Sequence, residues 1–213
     1  MPTRDEQKQL TRRAIIDAAL ELSAENGFSS VSLRSVARKA GIAPNAFYRH
    51  FSDMEELGLS LVDEIGLSLR QLIRQARRSI ALAGGQNVVR NSIVCFMSLA
   101  DANPNLFRLL LGEGAGSTPT FRRAIAKEIQ RFTDDLASDL VLAAEATNRP
   151  IYNVDLAAEA MVTVAFNQGA AAIDLSADER REVQNRIIGQ VLMIMRGAHA
   201  GPIDLNMIEG NEE

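Results

Sequence analysis

Residues 31–51 read VSLRSVARKAGIAPNAFYRHF, and this stretch decides the fold. Ser32 is placed to cap a helix, because its hydroxyl can accept from the free N–H groups of the first turn. Leu33, Val36 and Ala37 follow at one-three-four spacing and form an apolar stripe on that helix. Gly41 suits a left-handed C-cap, having no Cβ to clash at positive φ. Ile42 and Ala43 lead to Pro44, whose missing N–H costs nothing at the first position of a second helix. That helix buries Phe47 and Phe51 and directs Asn45, Ala46, Tyr48, Arg49 and His50 elsewhere. Two short helices joined by a Gly-containing turn make a helix-turn-helix, whose second helix enters the major groove of DNA.

Charge agrees with this reading. Between Gly27 and Ser52 the ionised residues are Arg34, Arg38, Lys39 and Arg49, with no carboxylate, in a chain whose net charge is −4. A local cationic patch on an acidic protein is a footprint for phosphate.

Outward from this stretch, the pattern is helical throughout. A first helix begins near Glu6–Leu10, carries Ala14, Ile15, Ala18, Ala19 and Leu22 on one face, and stops at Asn26-Gly27. Its start holds Arg4, Lys8, Arg12 and Arg13, an arm able to reach DNA backbone or simply a solvated helix start. Ser52 or Asp53 caps a fourth helix, whose apolar positions from Leu57 to Ile80 run unbroken to Gly84-Gly85. Further helices are expected at about 88–101, after Asn103-Pro104, from Pro119 to before Asn148-Arg149-Pro150, over about 155–175, and from Ser176 to about His199. Strand signals are missing, so the fold expected is all-α with about nine helices. A three-helix DNA-binding domain at 1–52 precedes a larger helical effector-binding and dimerisation domain at 53–213.

The length of 213 residues and 46% hydrophobic content describe a globular chain. Its first residues are polar, without a signal-peptide core, and no apolar run reaches the ~18 residues of a membrane span. The single Cys95 cannot form an internal disulfide and lies in the apolar run Ile93–Met97 as a small hydrophobe. A cytoplasmic protein without membrane contact follows. The two histidines, His50 and His199, are far apart, and nucleophile elbow, zinc spacing and phosphate loop are missing, so no catalytic or metal site is expected.

Three kinds of DNA contact are expected. Tyr48, His50 and the hydroxyl and first-turn amides at Ser32 can meet phosphate. Arg49 and Arg34 can grip guanine and Asn45 adenine, while Pro44 and Ala46 can touch a thymine methyl. One such motif makes too few contacts, so a two-fold homodimer on a palindromic operator is expected. The last two helices are the expected interface, through the broad apolar faces of Met161, Val164, Ala165, Ala172, Ile187, Ile188, Val191, Leu192, Ile194 and Met195, with Gly169–Ala172 allowing close approach. Candidate walls for an effector pocket are Phe96, Met97, Leu99, Phe107, Leu110, Phe121, Ile125, Ile129, Met161 and Phe166, although residues of this kind serve equally as plain core.

An opening helix ending in Asn26-Gly27-Phe28, then Ser32–Ala40, Gly41, Ile42 and Phe47-Tyr48-Arg49-His50-Phe51, resembles the TetR family of bacterial repressors. Within it the chain resembles the FabR/DesT group of unsaturated fatty-acid synthesis repressors. That subgroup likeness rests on Gly41–Pro44, Phe47–Phe51, Glu56-Leu57-Gly58-Leu59, Leu69-Arg70-Gln71-Leu72, Asn103-Pro104-Asn105 and Phe107–Leu111. The resemblance implies DNA contacts from the Tyr and His of the recognition helix. It also implies a long-chain acyl-CoA effector, not a cofactor, with its acyl chain among the helices and saturated and unsaturated forms acting in opposite directions. Arg108, Arg122 and Arg123 are possible partners for the coenzyme A phosphates. A TetR-type regulator of another operon, such as efflux, answering a different hydrophobic molecule is the alternative. One departure stands out: many relatives place a Lys at the start of the fourth helix to meet a phosphate, and here Asp53-Met54-Glu55-Glu56 stand instead.

Overall fold

The first helix begins earlier than its charge pattern implies. A computed structural model describes residues 3–82, 87–102, 104–112 and 118–203, and in it α1 spans Arg4–Asn26. Thr3 accepts from the Glu6 N–H at 3.2 Å, and the Glu6 carboxylate accepts from the Thr3 N–H at 2.6 Å. This capping box was present in the sequence as Thr-x-x-Glu and fixes the start two residues ahead of Glu6.

A 3₁₀ turn at Phe28–Ser30 leads to α2, Leu33–Lys39. Ser32 caps α2, its hydroxyl accepting from the Ser35 N–H at 3.1 Å. The far end closes as a Schellman motif: the Ile42 N–H donates to Ala37 at 2.9 Å, the Gly41 N–H to Arg38 at 3.2 Å, and Gly41 has φ +69°. Helix α3 is only Pro44–Phe47, shorter than the pattern predicts. The N–H groups of Arg49 and His50 reach back to Ala46 and Phe47 at 3.2 and 2.9 Å. Those bonds tighten the final turn in the 3₁₀ manner. Phe47 and Phe51 are nevertheless fully buried.

Helix α4 runs over 29 residues, Met54–Leu82. Of the two cap candidates Asp53 takes the role, accepting from the Glu56 N–H at 2.8 Å. The Glu56 carboxylate accepts in turn from the Ser52 N–H at 2.6 Å, which holds its pKa below the usual carboxylate value. The remaining helices are α5 Val88–Ala102, α6 Pro104–Gly112, α7 Pro119–Thr147, α8 Val154–Ala171 and α9 Ala177–Ala200. No strand occurs among the described residues. Helix α8 stops short of the expected Leu175, and Arg180 binds the carbonyls that follow it, those of Ala172, Ile173 and Leu175, at 3.1–3.3 Å. Residues 204–213, expected as a loose tail, lie outside the described residues.

The chain forms two compact units, one of Met1–Ala76 with Cys95–Glu128 and the other of Arg77–Val94 with Ile129–Glu213. This division differs from one drawn between residues 52 and 53. The front of α4, the rear of α5, α6 and the start of α7 belong with the helix-turn-helix. In that unit the core includes Ile15, Ala19, Val36, Phe47, Phe51, Leu57 and Leu61. Phe28 stacks on Phe121 of α7, centroids 5.1 Å apart and planes 6° from parallel. Both rings lie against Gly58 of α4. In the second unit α8 packs on α9, with Gln168 donating to Gln190 at 2.5 Å and Phe132 lying 5.0 Å from Phe166. His199 meets the Pro150 carbonyl through Nδ1 at 2.7 Å.

A methyl at Gly58 would lie 2.6 Å from Phe28 Cε1 and 2.8 Å from Phe121 Cε2. Neither stacked ring is a flexible side-chain end, so Gly58→Ala is expected to cost about 1–3 kcal/mol as overpacking. A fall of several degrees in the thermal midpoint of the purified protein, measured by circular dichroism, is the outcome to look for; an unchanged midpoint would mean the rings are free to move apart.

Candidate nucleic-acid interface

The face formed by α2, α3 and the turn after α3 presents most of the expected contacts together. Ser32 and Arg34 are exposed at the start of α2; Pro44, Asn45 and Arg49 are exposed on and after α3, and Ala46 is half-buried. Tyr48 is 62% exposed, and its ring sits edge-on to Phe47 at 5.8 Å, which steadies it at the surface. The Ser32 hydroxyl is committed to its cap, accepting from the Ser35 N–H and also meeting the Ser35 hydroxyl at 3.1 Å.

One cation of the basic patch and two of the first-helix arm have internal partners. Lys39 pairs with Glu21 of α1 at 2.5 Å. Arg13 pairs with Asp17 at 3.1 Å and Glu64 of α4 at 2.9 Å. Arg12 donates to the His50 carbonyl at 3.2 Å and lies 4.3 Å over the Phe51 ring. Arg4, Lys8, Arg34, Arg38 and Arg49 are exposed. The footprint for phosphate is therefore narrower than the sequence count implies. At the start of α4, the Asp53 carboxylate occupies the Glu56 N–H, which lowers what that helix end can offer a phosphate.

His50 is half-buried, and its Nδ1 is enclosed without a hydrogen-bond partner. A neutral imidazole carries one N–H, and placing it on Nδ1 would bury an unpaired donor. The proton therefore belongs on Nε2, which makes the other edge of the ring the donor. Desolvation, reinforced by Lys8, Arg12 and Arg49, pushes the His50 pKa below its ordinary 6.5. No signal in the sequence marked the burial of this ring or the approach of Lys8 and Arg12 from α1.

The candidate effector residues divide between the two units. Phe96, Met97, Phe107, Phe121 and Ile125 are buried in the first, with Leu99 half-buried. Phe96 and Phe107 meet edge-on at 5.4 Å, and Phe121 is the residue stacked on Phe28. Met161 and Phe166 are buried in the second unit, where Ile129 is half-buried. The Leu110 side chain lies outside the described residues. Arg108 is half-buried; Arg122 and Arg123 are exposed. Pattern missed the most polar feature of this region. Glu128 of α7 is 1% exposed, meets Arg70 of α4 at 3.2 Å, and lies directly against Gly66. Cys95 is half-exposed, less enclosed than its apolar neighbours imply. Among the described residues no group of three His, Cys, Asp or Glu could hold a metal, and no helix is long and apolar enough to cross a membrane.

Of the ten residues expected at a dimer face, Met161, Ala165, Ala172, Ile187, Ile188 and Val191 are buried within the chain itself. Their apolarity is satisfied by the packing of α8 on α9. The large apolar side chains left exposed on these helices are Leu156, Leu192 and Met193, the last 71% exposed.

A capped helix-turn-helix with an exposed polar recognition face, joined to a further helical unit, defines the class of helical DNA-binding regulators. Residues 15–61 match the model of bacterial regulatory proteins of the tetR family, and residues 86–197 match the tetracyclin repressor-like C-terminal domain. The chain belongs to the TetR family. Its members are DNA-binding transcription factors rather than enzymes and bind small-molecule effectors, typically as homodimers. Solved structures share the fold at low identity. The fatty acid degradation regulator FadR from Bacillus halodurans is 16% identical at a TM-score of 0.68, covering 88% of this chain and 95% of that one. FadR from Bacillus subtilis, in complex with stearoyl-CoA, is 20% identical at 0.65, covering 88% and 99%. Reduced NemR from E. coli is 17% identical at 0.68, covering 87% and 97%.

The lowered pKa of His50 has a defined sign. The unfolded chain binds this proton first as pH falls, so stability declines through the window just below 6.5. His50→Gln is expected to flatten that part of the stability–pH curve, measured by urea denaturation on either side of the window. In NMR titration the His50 ring should show a midpoint below 6.5.

Proposed function

We propose that this chain is a homodimeric repressor of unsaturated fatty-acid synthesis genes that senses long-chain acyl-CoA. The observation that carries the DNA-binding half is the recognition face: Asn45, Tyr48 and Arg49 exposed beside a turn held firmly by Phe47 and Phe51. On a palindromic operator, Arg49, Arg34 and Asn45 read base edges and Tyr48, His50 and Ser32 position the phosphates, while Pro44 and Ala46 touch thymine methyls. The subgroup resemblance and the stearoyl-CoA held by the Bacillus subtilis FadR support the effector half. In this reading the acyl chain lies among Phe96, Met97, Phe107 and their neighbours, and its arrival moves α4. The two subunits meet through α8 and α9 by way of Leu156, Leu192 and Met193.

An effector shifts DNA affinity only by its differential affinity for the two states, commonly ~1–3 kcal/mol. The deciding experiment is a gel shift on the chain's own and neighbouring promoters with a panel of saturated and unsaturated acyl-CoAs. Opposite responses to the two classes are expected; indifference to every acyl-CoA, with DNA binding intact, would leave a TetR regulator of some other operon. Arg49→Ala and Asn45→Ala are each expected to cost ~1–3 kcal/mol on the operator and relax base preference. Met193→Asp together with Leu192→Asp is expected to give a monomer in sedimentation velocity, with weakened operator binding.

A further inference from the structure

Helix α3 is four residues long, and the polar residues that follow it are not held by a continuing helix. Their carbonyls need partners from elsewhere. One partner comes from α1. Arg12 donates through Nη1 to the His50 carbonyl at 3.2 Å, 38 residues away in sequence. Its guanidinium lies 4.3 Å over the ring of Phe51, which is 1% exposed. A guanidinium stacked on a ring and hydrogen-bonded at its edge is fixed in two directions at once. Arg12 lines a groove together with Arg13 and the carboxylates of Asp5, Glu6 and Glu64. The carboxylates there compete with a phosphate for Arg12.

We infer that Arg12 is a positioning residue for DNA binding: it acts through the Arg49–Phe51 turn, holding His50 and Arg49 on the recognition face, and does not itself ligate the duplex. The inference rests on the recognition-face reading above. The guanidinium adds a side-chain tie to a turn whose N–H groups already reach back to Ala46 and Phe47, and its charge sits where it also disfavours protonation of His50. A basic residue near the start of the first helix therefore serves the interface without touching it.

The test is Arg12→Lys in the full-length chain, which keeps the charge but removes the planar stacked fork. Affinity for the operator is measured against salt concentration, with protein concentration scaled to the folded fraction. If Arg12 bound a phosphate, Lys would serve nearly as well, with affinity and salt slope both close to those of the parent. A positioning residue predicts binding about fivefold or more weaker with the slope unchanged, and faster amide hydrogen exchange at His50 and Phe51. Should Arg12→Lys fail to fold, Arg12→Met keeps the stem on Phe51 and is read the same way. Weaker binding at constant slope supports the inference, whereas a slope reduced by about one phosphate contact overturns it. Parent-like affinity in Arg12→Lys also overturns it, as does a loss accounted for wholly by the folded fraction. Arg49→Ala run alongside separates the two readings: if it too binds like the parent, the recognition face itself is misplaced.

Discussion

The helix-turn-helix is held by the close approach of α4 to its neighbours at two points where α4 has no side chain. At Gly58 the backbone meets the stacked rings of Phe28 and Phe121, and at Gly66 it meets the buried carboxylate of Glu128. Eight residues separate these positions, so they lie a little over two turns apart and about 80° from one another around α4. Helix α4 thus meets α7 closely at two separate points, at the stacked rings and at the ion pair. Interiors at this density do not deform smoothly, and a displaced ring at Phe121 has to be answered by Phe28 or by α4. Phe28 belongs to the 3₁₀ turn that leads into α2.

The Arg70–Glu128 pair adds register rather than evident stability. Burying two charges costs about as much as their attraction returns, so a pair like this is weak evidence for a more stable fold. It does make sliding of α4 along α7 expensive, because any slide stretches the ion pair of an enclosed carboxylate. The aromatic stack resists separation and the ion pair resists sliding. Together they leave few ways for the start of α7 to move without carrying α4 with it.

What could be read in the sequence was local. Ser32, Gly41 and Pro44 specify a cap, a Schellman turn and a helix start through their own chemistry, and all three took those roles. Phe47 and Phe51 went to the core by spacing alone. Tertiary choices were hidden. Nothing in the sequence joins Phe28 to Phe121, Arg70 to Glu128 or Arg12 to His50, because partners 93, 58 and 38 residues apart carry no periodic signature. The apolar faces of α8 and α9 left a related question open. Hydrophobicity tells which side of a helix is covered, but not whether the cover comes from the same chain or a second copy. The missing Lys at the start of α4 was legible; that Asp53 would then take the Glu56 amide for itself was not.

A recognition element this short places particular demands on its surroundings. A longer helix would hold Tyr48, Arg49 and His50 by its own hydrogen bonds and would carry them as one rigid rod. Here the helix ends at Phe47, and the residues that follow are held by three backbone bonds to Ala46 and Phe47, two buried phenylalanines and a guanidinium from α1. Base readout needs side chains held to a fraction of an ångström, so part of the binding free energy is decided in packing that DNA never meets. The same dependence makes the face responsive. A regulator need not unfold its recognition element to release DNA; a small loss of order in the turn after Phe47 is enough to shift affinity by the modest coupling such proteins use. Helices α1 and α4 both bear on this turn's neighbourhood, since Arg13 on α1 is paired with Glu64 on α4 one residue after Arg12 reaches His50.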